Sequence, residues 1–563
     1  MRIQPQSAYY GLPSDHTITL LIPLNQERLA WKMHNDESAQ GPRHYILAID
    51  LGSGGLKTAV VDDAGAVVAS AAFPVTTHFL PDGGAEQDAN EWWTGTLQTA
   101  RQALDDAGIA SRQVAAVAVA SQWSVVVPVD DHGDPLMRAI HWLDTRGAPF
   151  NRAVADGLPR IQGYSLPKLI HWIRLTGLAP TLSGVDSLGH VLYIKNACPE
   201  LYERTCKFLE PMDFLTSRLT GKMTATQKTM VPFVITDNRQ WGTTDYCARL
   251  LQMTGLSADK FPQLIANDGV VGPLAPSVAD HLGLPVSTPV VSGISDSNAS
   301  LIGSGALADF DSIIYIGTSL YMTCHLPFKK TDLVHFMTAL PSPFANRYYL
   351  LGEQGAGGKC VDFFLKQMIF PEDDFQTGPK PEDAYIRFNT MAAGAPAGCD
   401  GVMFLPWLNG SLVPCEAPHM RGGFVNLSLN TSRRHMARAV MEGLAFNNRW
   451  TRGPAERFIG RPMDRFRFSG GGARSDVWSQ IHADVLQVPI HQVDDPVNTT
   501  VRGTAFLALW SLGRIALEDI NQRVRIRRVF EPNPDNAALY DNMYRQYRRF
   551  FKKNKKIFEA LNK

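Results

Sequence analysis

The sequence has no surplus of charge of either sign. Lys and Arg number 54, Asp and Glu also 54, and the formal net charge is zero. Such a balance leaves no electrostatic footprint for nucleic acid or for an anionic membrane surface. Cysteine is scarce: seven residues lie between Cys198 and Cys415, with no Cys-x-x-Cys pair. An odd, scattered set argues against a disulfide framework and a zinc site, and it suits a reducing cytoplasm. The opening 44 residues carry little pattern. Their apolar run, Thr17 to Leu24, is broken by Pro23 and lacks a basic lead and a small-residue cleavage site. It is a poor signal peptide and too short to span a bilayer. A loose arm is expected there, or else translation begins at Met33. What the chain has in quantity is length: 563 residues, 45% hydrophobic and 19% charged. That is more than one core uses, so at least two sizeable domains are expected.

The most informative stretch is Tyr45 to Lys57, YILAIDLGSGGLK. An apolar run meets Asp50, then the small turn Gly52-Ser53-Gly54-Gly55, then Lys57. A second run, Thr58 to Val61, and the turn Asp62 to Gly65 follow. Apolar runs bounded by turn residues read as buried strands. The loop lacks the spacing of a Walker loop, and no helical pattern follows it to make a dinucleotide fingerprint. A hairpin loop of small residues can turn its backbone N–H groups toward phosphate oxygens. An acid at its base can hold Mg²⁺ through water. An ordinary tight hairpin with a chance acid is the competing reading.

Further along, strands and helices alternate to about residue 290. Asn90 to Ala107 predicts an amphipathic helix with Trp92, Trp93, Leu97 and Leu104 among its apolar positions. Val114 to Ala120 predicts a strand that delivers Ser121-Gln122-Trp123-Ser124. Ala139 to Trp142 predicts another, ending at Asp144-Thr145-Arg146. Polar groups and Trp at strand ends are typical of α/β binding clefts. Core aromatics and a surface ion pair are the alternative. At 288–305 a strand stops at Gly293, and Asp296 follows among small residues. It is placed to be a general base for an alcohol, or a cap for a helix beginning near Ser297. Ser312 to Ser319 repeats the opening pattern: apolar strand, Gly317, then Thr318 and Ser319. Two similar hairpins suggest a duplicated architecture gripping one phosphate chain, with the acid present in the first copy alone. Thr431 to Asn448 predicts a long helix. Phe466 to Ala473 predicts a strand entering Gly470-Gly471-Gly472-Ala473, then a helix with Trp478. A Gly-rich turn opening a helix accepts a flat base or phosphates. Residues 540–563 predict an amphipathic helix packing back on the body.

Taken in order, these landmarks resemble the FGGY carbohydrate kinases, most of all their xylulokinase-like branch. The resemblance runs from about Tyr45 to the C-terminal helix. It rests on AIDLGSGGLK, AEQDANEWW (85–93), SQW (121–123), HWLDTR (141–146), SGISDSNASLIG (292–303), YIGTS (315–319), GVMFLPWLNG (401–410), ARAVMEGLAF (437–446) and SGGGARSDVWSQIHADVLQVPI (469–490). It implies an α/β, two-lobed actin/hexokinase-like (ribonuclease H-like) ATPase fold with a duplicated core. The expected division is an N-terminal extension (1–44), an N-terminal lobe (45–290), a C-terminal lobe (291–530) and a terminal helix (531–563). It further implies ATP and Mg²⁺ as cofactors and a small sugar or polyol as substrate, most simply a ketopentose such as xylulose. No nucleic-acid or membrane partner is implied, and a homodimer is compatible. By residue, it implies Asp296 as catalytic base and Asp50 as the metal-side acid. Gly52, Ser53, Gly54, Lys57, Gly317, Thr318 and Ser319 fall on the phosphate loops; Gly470, Gly471, Gly472, Ala473 and Trp478 fall on the adenosine site. Gln122, Trp123, Trp142, Asp144 and Arg146 fall where the family contacts sugar. Departures cluster on that sugar side: Trp123 and Ser124 replace Met and His, Ser297 replaces Asn, and Met212 replaces a Lys. A kinase for another polyol or for glycerol, and a nucleotide-binding sensor without sugar turnover, are the alternatives.

Overall fold

The computed structural model describes residues 44–562, apart from 372 and 375–377. The expected N-terminal arm lies, but for its last residue, outside the described residues. Strand β1 (Tyr45–Gly52) turns through Ser53-Gly54 into β2 (Gly55–Asp62), which pairs antiparallel with β3 (Val67–Pro74). The apolar runs become strands because both faces are covered: Ile46 to Ile49 have no exposed surface. Helix α1 (Ala89–Ala107) follows, capped by Asp88, whose side chain accepts from the Asn90 N–H. Strand β4 (Val114–Ser121) then pairs parallel with β1. Three short strands complete the first sheet: β5 (Val270–Pro273), β6 (Pro289–Val291) and β7 (Ile294–Ser295). Its order is β5-β6-β4-β1-β2-β3, with β7 beside β4. Helix α2 (Asp296–Gly303) leaves directly from β7.

The second sheet has the order β10-β11-β12-β9-β8-β13-β14-β15. Its strands are β8 (Ser312–Ile316), β9 (Ser319–Leu326), β10 (Thr331–Asp332), β11 (Met337–Pro341), β12 (Tyr348–Ala356), β13 (Phe466–Ser469), β14 (Ile490–Val493) and β15 (Ile526–Phe530). The duplication is visible in strand order. In each sheet an antiparallel run, of three strands ending in β1 or five ending in β8, adjoins two parallel neighbours and one antiparallel edge strand. Because β7 pairs with β4, the first sheet extends past the division at residue 290 expected from sequence, and the second begins at Ser312.

Helix α3 (Ala384–Ala393) lies against α4 (Arg433–Ile459), which runs beyond the expected end at Asn448. Thr451, Ala455, Phe458 and Ile459 continue its buried face, and Arg452 donates to Glu456 one turn on at 2.8 Å, so the helix passes through Pro454. Helix α5 (Asp476–Leu486) follows the glycine turn, and α6 (Thr499–Ser511) packs on the first sheet and crosses α2. The terminal helix α7 (Ala537–Leu561) buries Tyr540, Met543, Tyr547 and Phe551, as its spacing predicts. Phe551 lies 4.8 Å, centroid to centroid, from both Trp407 and Trp450.

The crossing of α2 and α6 is a backbone-to-backbone contact. A Cβ on Gly303 would meet the Thr499 carbonyl oxygen at 1.8 Å, and one on Gly503 would meet the Ala299 carbonyl oxygen at 1.8 Å. Side-chain hydrogen bonds also tie the start of α6 to the first sheet and to α2. Arg502 donates to the carbonyls of Gly65 and Gly303, at 3.1 and 3.3 Å, and Lys57 donates to Asn498 Oδ1 at 3.1 Å.

Candidate active site

Parallel strands set the site. Leu51 of β1 and Ser295 of β7 both register with Ser121 of β4. The Ser53 turn, the Gln122-Trp123 segment and Asp296 therefore leave the sheet at one edge, the carboxyl ends of its parallel strands, where open α/β sheets bind ligands. In the second sheet, Tyr315 of β8 registers with Ser469 of β13, so the Gly317 turn and the Gly470 turn are neighbours in the same way. A cavity of about 340 Å³ lies between the two edges. From the first half it is lined by Asp50, Gly52, Ser53, Gln122, Trp123, Trp142 and Asp296. From the second it is lined by Thr318, Ser319, Tyr321, Glu353 and Thr500.

The carboxyl groups in this cavity repel one another and are short of water. Burial, then the charge of Asp296, pushes Asp50 up to about 7. Burial pushes Asp296 up to about 6, against the Ser297 N–H, which donates to its Oδ1 at 2.6 Å. Asp296 is the first residue of α2, with Ser295 at the N-cap and no side-chain cap bond, so the expected cap does not form and the carboxylate faces the cavity. Glu353 is pushed up to about 8 by burial; the Gly355 N–H donates to its Oε1 at 3.1 Å. Among the described residues no hydrogen-bond donor reaches the Asp50 carboxylate. A buried carboxylate with no donor on its oxygens, as at Asp50, suits a divalent cation. Mg²⁺ is commonly held by one or two carboxylates plus phosphate oxygens and water.

The hairpin is wired to Gln122 and Trp142. Trp142 Nε1 donates to Ser53 Oγ at 2.9 Å. Gln122 Nε2 donates to Gln87 Oε1 at 2.7 Å, and Gln87 Nε2 donates to the Ser53 carbonyl at 2.9 Å. His141 Nε2 meets Gln122 Oε1 at 3.0 Å, and burial lowers that imidazole to about 3, so it stays neutral.

Other sequence-selected residues lie elsewhere. Asp144 and Arg146 do not line the cavity. Asp144 is fully enclosed and accepts from the Ala85 N–H at 2.9 Å and from Arg146 at 2.6 Å; Arg146 also pairs with Glu86 at 2.7 Å and covers the Tyr193 ring. With its oxygens taken, Asp144 fixes the loop that carries Trp142 and offers no free oxygen to a sugar. Lys57 holds Asn498 and is not among the cavity residues. Gly54 is exposed at the turn tip. Gly317 is the pivot of the second turn: its carbonyl accepts from the Gly358 N–H at 2.7 Å. Gly470 to Ala473 form a short turn before α5, with Ala473 and Trp478 buried; Trp478 Nε1 donates to the Met441 carbonyl at 3.1 Å, so its indole supports the turn from beneath. Sequence reasoning missed Glu353, Tyr321 and Thr500. A Glu inside an apolar strand run, LLGEQGAGG, just before a glycine-rich turn was the available signal for Glu353.

Two facing sheets of one topology, with acids at their shared edge, define the two-lobed actin/hexokinase class of phosphotransferase. The N-terminal domain model of the FGGY family of carbohydrate kinases matches residues 45–303, and the C-terminal domain model matches 313–512. The chain belongs to the FGGY family of carbohydrate kinases. It is 26% identical over 535 residues to a xylulose kinase of Staphylococcus epidermidis, covering 92% of this chain and 99% of that protein. A xylulose kinase of Bacillus subtilis is also 26% identical, with 92% and 98% covered. The solved structure of a gluconate kinase from Lactobacillus acidophilus superposes with a TM-score of 0.77 at 23% identity, covering 92% of this chain and 100% of that one. The protein is thus a sugar kinase, and carbohydrate kinases take their phosphoryl group from ATP.

Proposed function

We propose that the chain transfers the terminal phosphoryl group of ATP to a hydroxyl of a small sugar or polyol, with a ketopentose such as xylulose as the first acceptor to test. The observation that carries this reading is the position of Asp296: it shares one cavity with the first phosphate turn at Ser53 and the second at Thr318-Ser319. Asp296 takes the hydroxyl proton as the oxygen meets phosphorus. Gln122, Trp123 and Trp142 hold and orient the acceptor, while backbone groups of both turns align the phosphates. Asp50 is the residue that would hold Mg²⁺, and Asp296 is kept for the proton. Mg²⁺ held there would offset the negative charge of the phosphates. The Gly470-Ala473 turn, next to the Gly317 turn, is the proposed nucleoside side. Seven free cysteines fit a reducing compartment, and we place the activity in the cytoplasm.

A coupled ADP-release screen over pentuloses, hexuloses, pentitols, tetritols and glycerol tests the assignment. Turnover of none of them would overturn it. The base must be ionised to act, so kcat/KM should fall as pH drops through about 6, the value of Asp296. A profile flat from about pH 5 to 8 would remove Asp296 from the role. Asp50→Ala is expected to abolish turnover or to weaken its dependence on Mg²⁺, read by titrating the metal at fixed ATP; an unchanged Mg²⁺ curve would count against Asp50 as the metal-side acid.

A further inference from the structure

We propose that the acceptor carries an apolar terminus, an alkyl or deoxygenated carbon, which lodges against Leu178, Val234, Leu340 and Leu351. The inference rests on the kinase reading above and narrows its substrate class. All four side chains line the cavity that holds Asp296. Leu178 and Leu351, with Trp123, pack against a buried apolar cluster that includes Val231, Leu340 and Tyr349. The wall is thus drawn from both halves of the chain.

Strand register gives the direction. Along β12, Ala356 pairs with Ser319 at the phosphate turn, Glu353 with Tyr321, and Leu351 with Thr323. Glu353 and Leu351 are two residues apart, so they share one face of the strand. Leu351 is about 7 Å farther from the phosphate turn than Glu353. The cavity lining therefore changes from carboxyl to leucine with distance from the phosphates. A polyol lying along that line meets donors and acceptors at its reacting end and hydrocarbon at its far end.

Two further polar residues of the lining, Thr181 and Asp186, are already engaged. Asp186 Oδ1 accepts from Asn151 at 2.9 Å and from the Gly189 N–H at 2.7 Å, and its Oδ2 accepts from the Thr181 N–H. The Thr181 hydroxyl accepts from the Val185 N–H at 3.1 Å. A terminal hydroxyl placed against the leucines would lose water, with neither Thr181 nor Asp186 free to replace it. The wall is also held in a costly shape. Val234 has φ of 49° and Ser124 has φ of 58°, both in the left-handed region. A β-branched residue persists there only when its surroundings enforce it, and such residues collect at ligand clamps. Buried Glu210 enforces the second: its carboxyl accepts from the Val125 N–H at 3.3 Å and from the Ser187 hydroxyl.

The test is a comparison of kcat/KM, by coupled ADP release on the full chain, for pentuloses and pentitols against their terminal-deoxy counterparts, each end in turn. At one end the deoxy compound should exceed its parent by roughly 10–200-fold, the span one apolar carbon commands in such a pocket. Leu351→Asn should cut that preference by about tenfold or more, and Leu178→Asn serves the same purpose if the first variant does not fold. Parent compounds preferred at both ends would overturn this inference and leave the kinase assignment standing. No turnover of any member would overturn both.

Discussion

Asp296→Asn is expected to lower kcat by about 10²–10⁴ while leaving nucleotide binding nearly intact. The amide keeps the size of the side chain and removes the carboxylate that takes the hydroxyl proton. Single-turnover phosphoryl transfer and calorimetric nucleotide binding on the same preparation separate the two effects. An Asn variant within about threefold of wild type would end the assignment. The same substitution has a stability signature of known sign. The folded protein holds Asp296 up to about 6, above its ordinary value of 3.8, so it favours the protonated form. That contribution is complete below the unfolded value and is lost as pH rises through about 6. The ligand-free Asn variant, which bears no buried charge, should therefore melt above wild type at pH 8, with the gap closing toward pH 5. A gap that stays constant across this range would mean that Asp296 is not charged at the expense of the fold.

Gly503→Val should be strongly destabilising. Two carbonyl-bearing backbones meet where its side chain would stand, with 1.8 Å to the Ala299 oxygen and 2.6 Å to the Gly303 nitrogen. Neither neighbour is the movable end of a side chain, so α2 and α6 must part. A loss of about 3 kcal/mol or more is expected, at the upper end for overpacking. Urea unfolding midpoints measure it, with Gly54→Ala as control, since a Cβ at Gly54 meets nothing within 4 Å. A Val variant as stable as the control would show that the helices do not touch. Because α2 starts at Asp296, residual folded protein should also show a displaced base and reduced kcat.

Much of this was legible in the sequence, and the reasons differ by element. The hairpins at Ser53 and Thr318 showed because an apolar run that stops at small residues has few other structures open to it. The helices at 89–107 and 537–561 showed through their period. Asp296 stood out as an acid among small residues. The family resemblance puts Asp144 and Arg146 on the sugar, and the alternative of an ion pair between them is what the structure holds, buried rather than at the surface. Lys57 looked like a phosphate ligand, but its partner, Asn498, is 441 positions away. Gly303 and Gly503 carry no local turn signal: what makes them glycine is a helix brought alongside from the other half. Glu353 hid in an apolar strand, since a lone acid there reads as noise until the fold shows the space it faces.

The bonds that join Ser53 to Trp142 and, through Gln87, to Gln122 bear on how this enzyme can be re-engineered. Any exchange at Trp142 or Gln122 made to admit a new acceptor also unfastens the phosphate turn, so gains in selectivity there would come with lost catalytic power. Leu178, Leu340 and Leu351 share no hydrogen bond with that turn through their side chains. They are the positions at which acceptor choice can drift while the transfer chemistry is left alone.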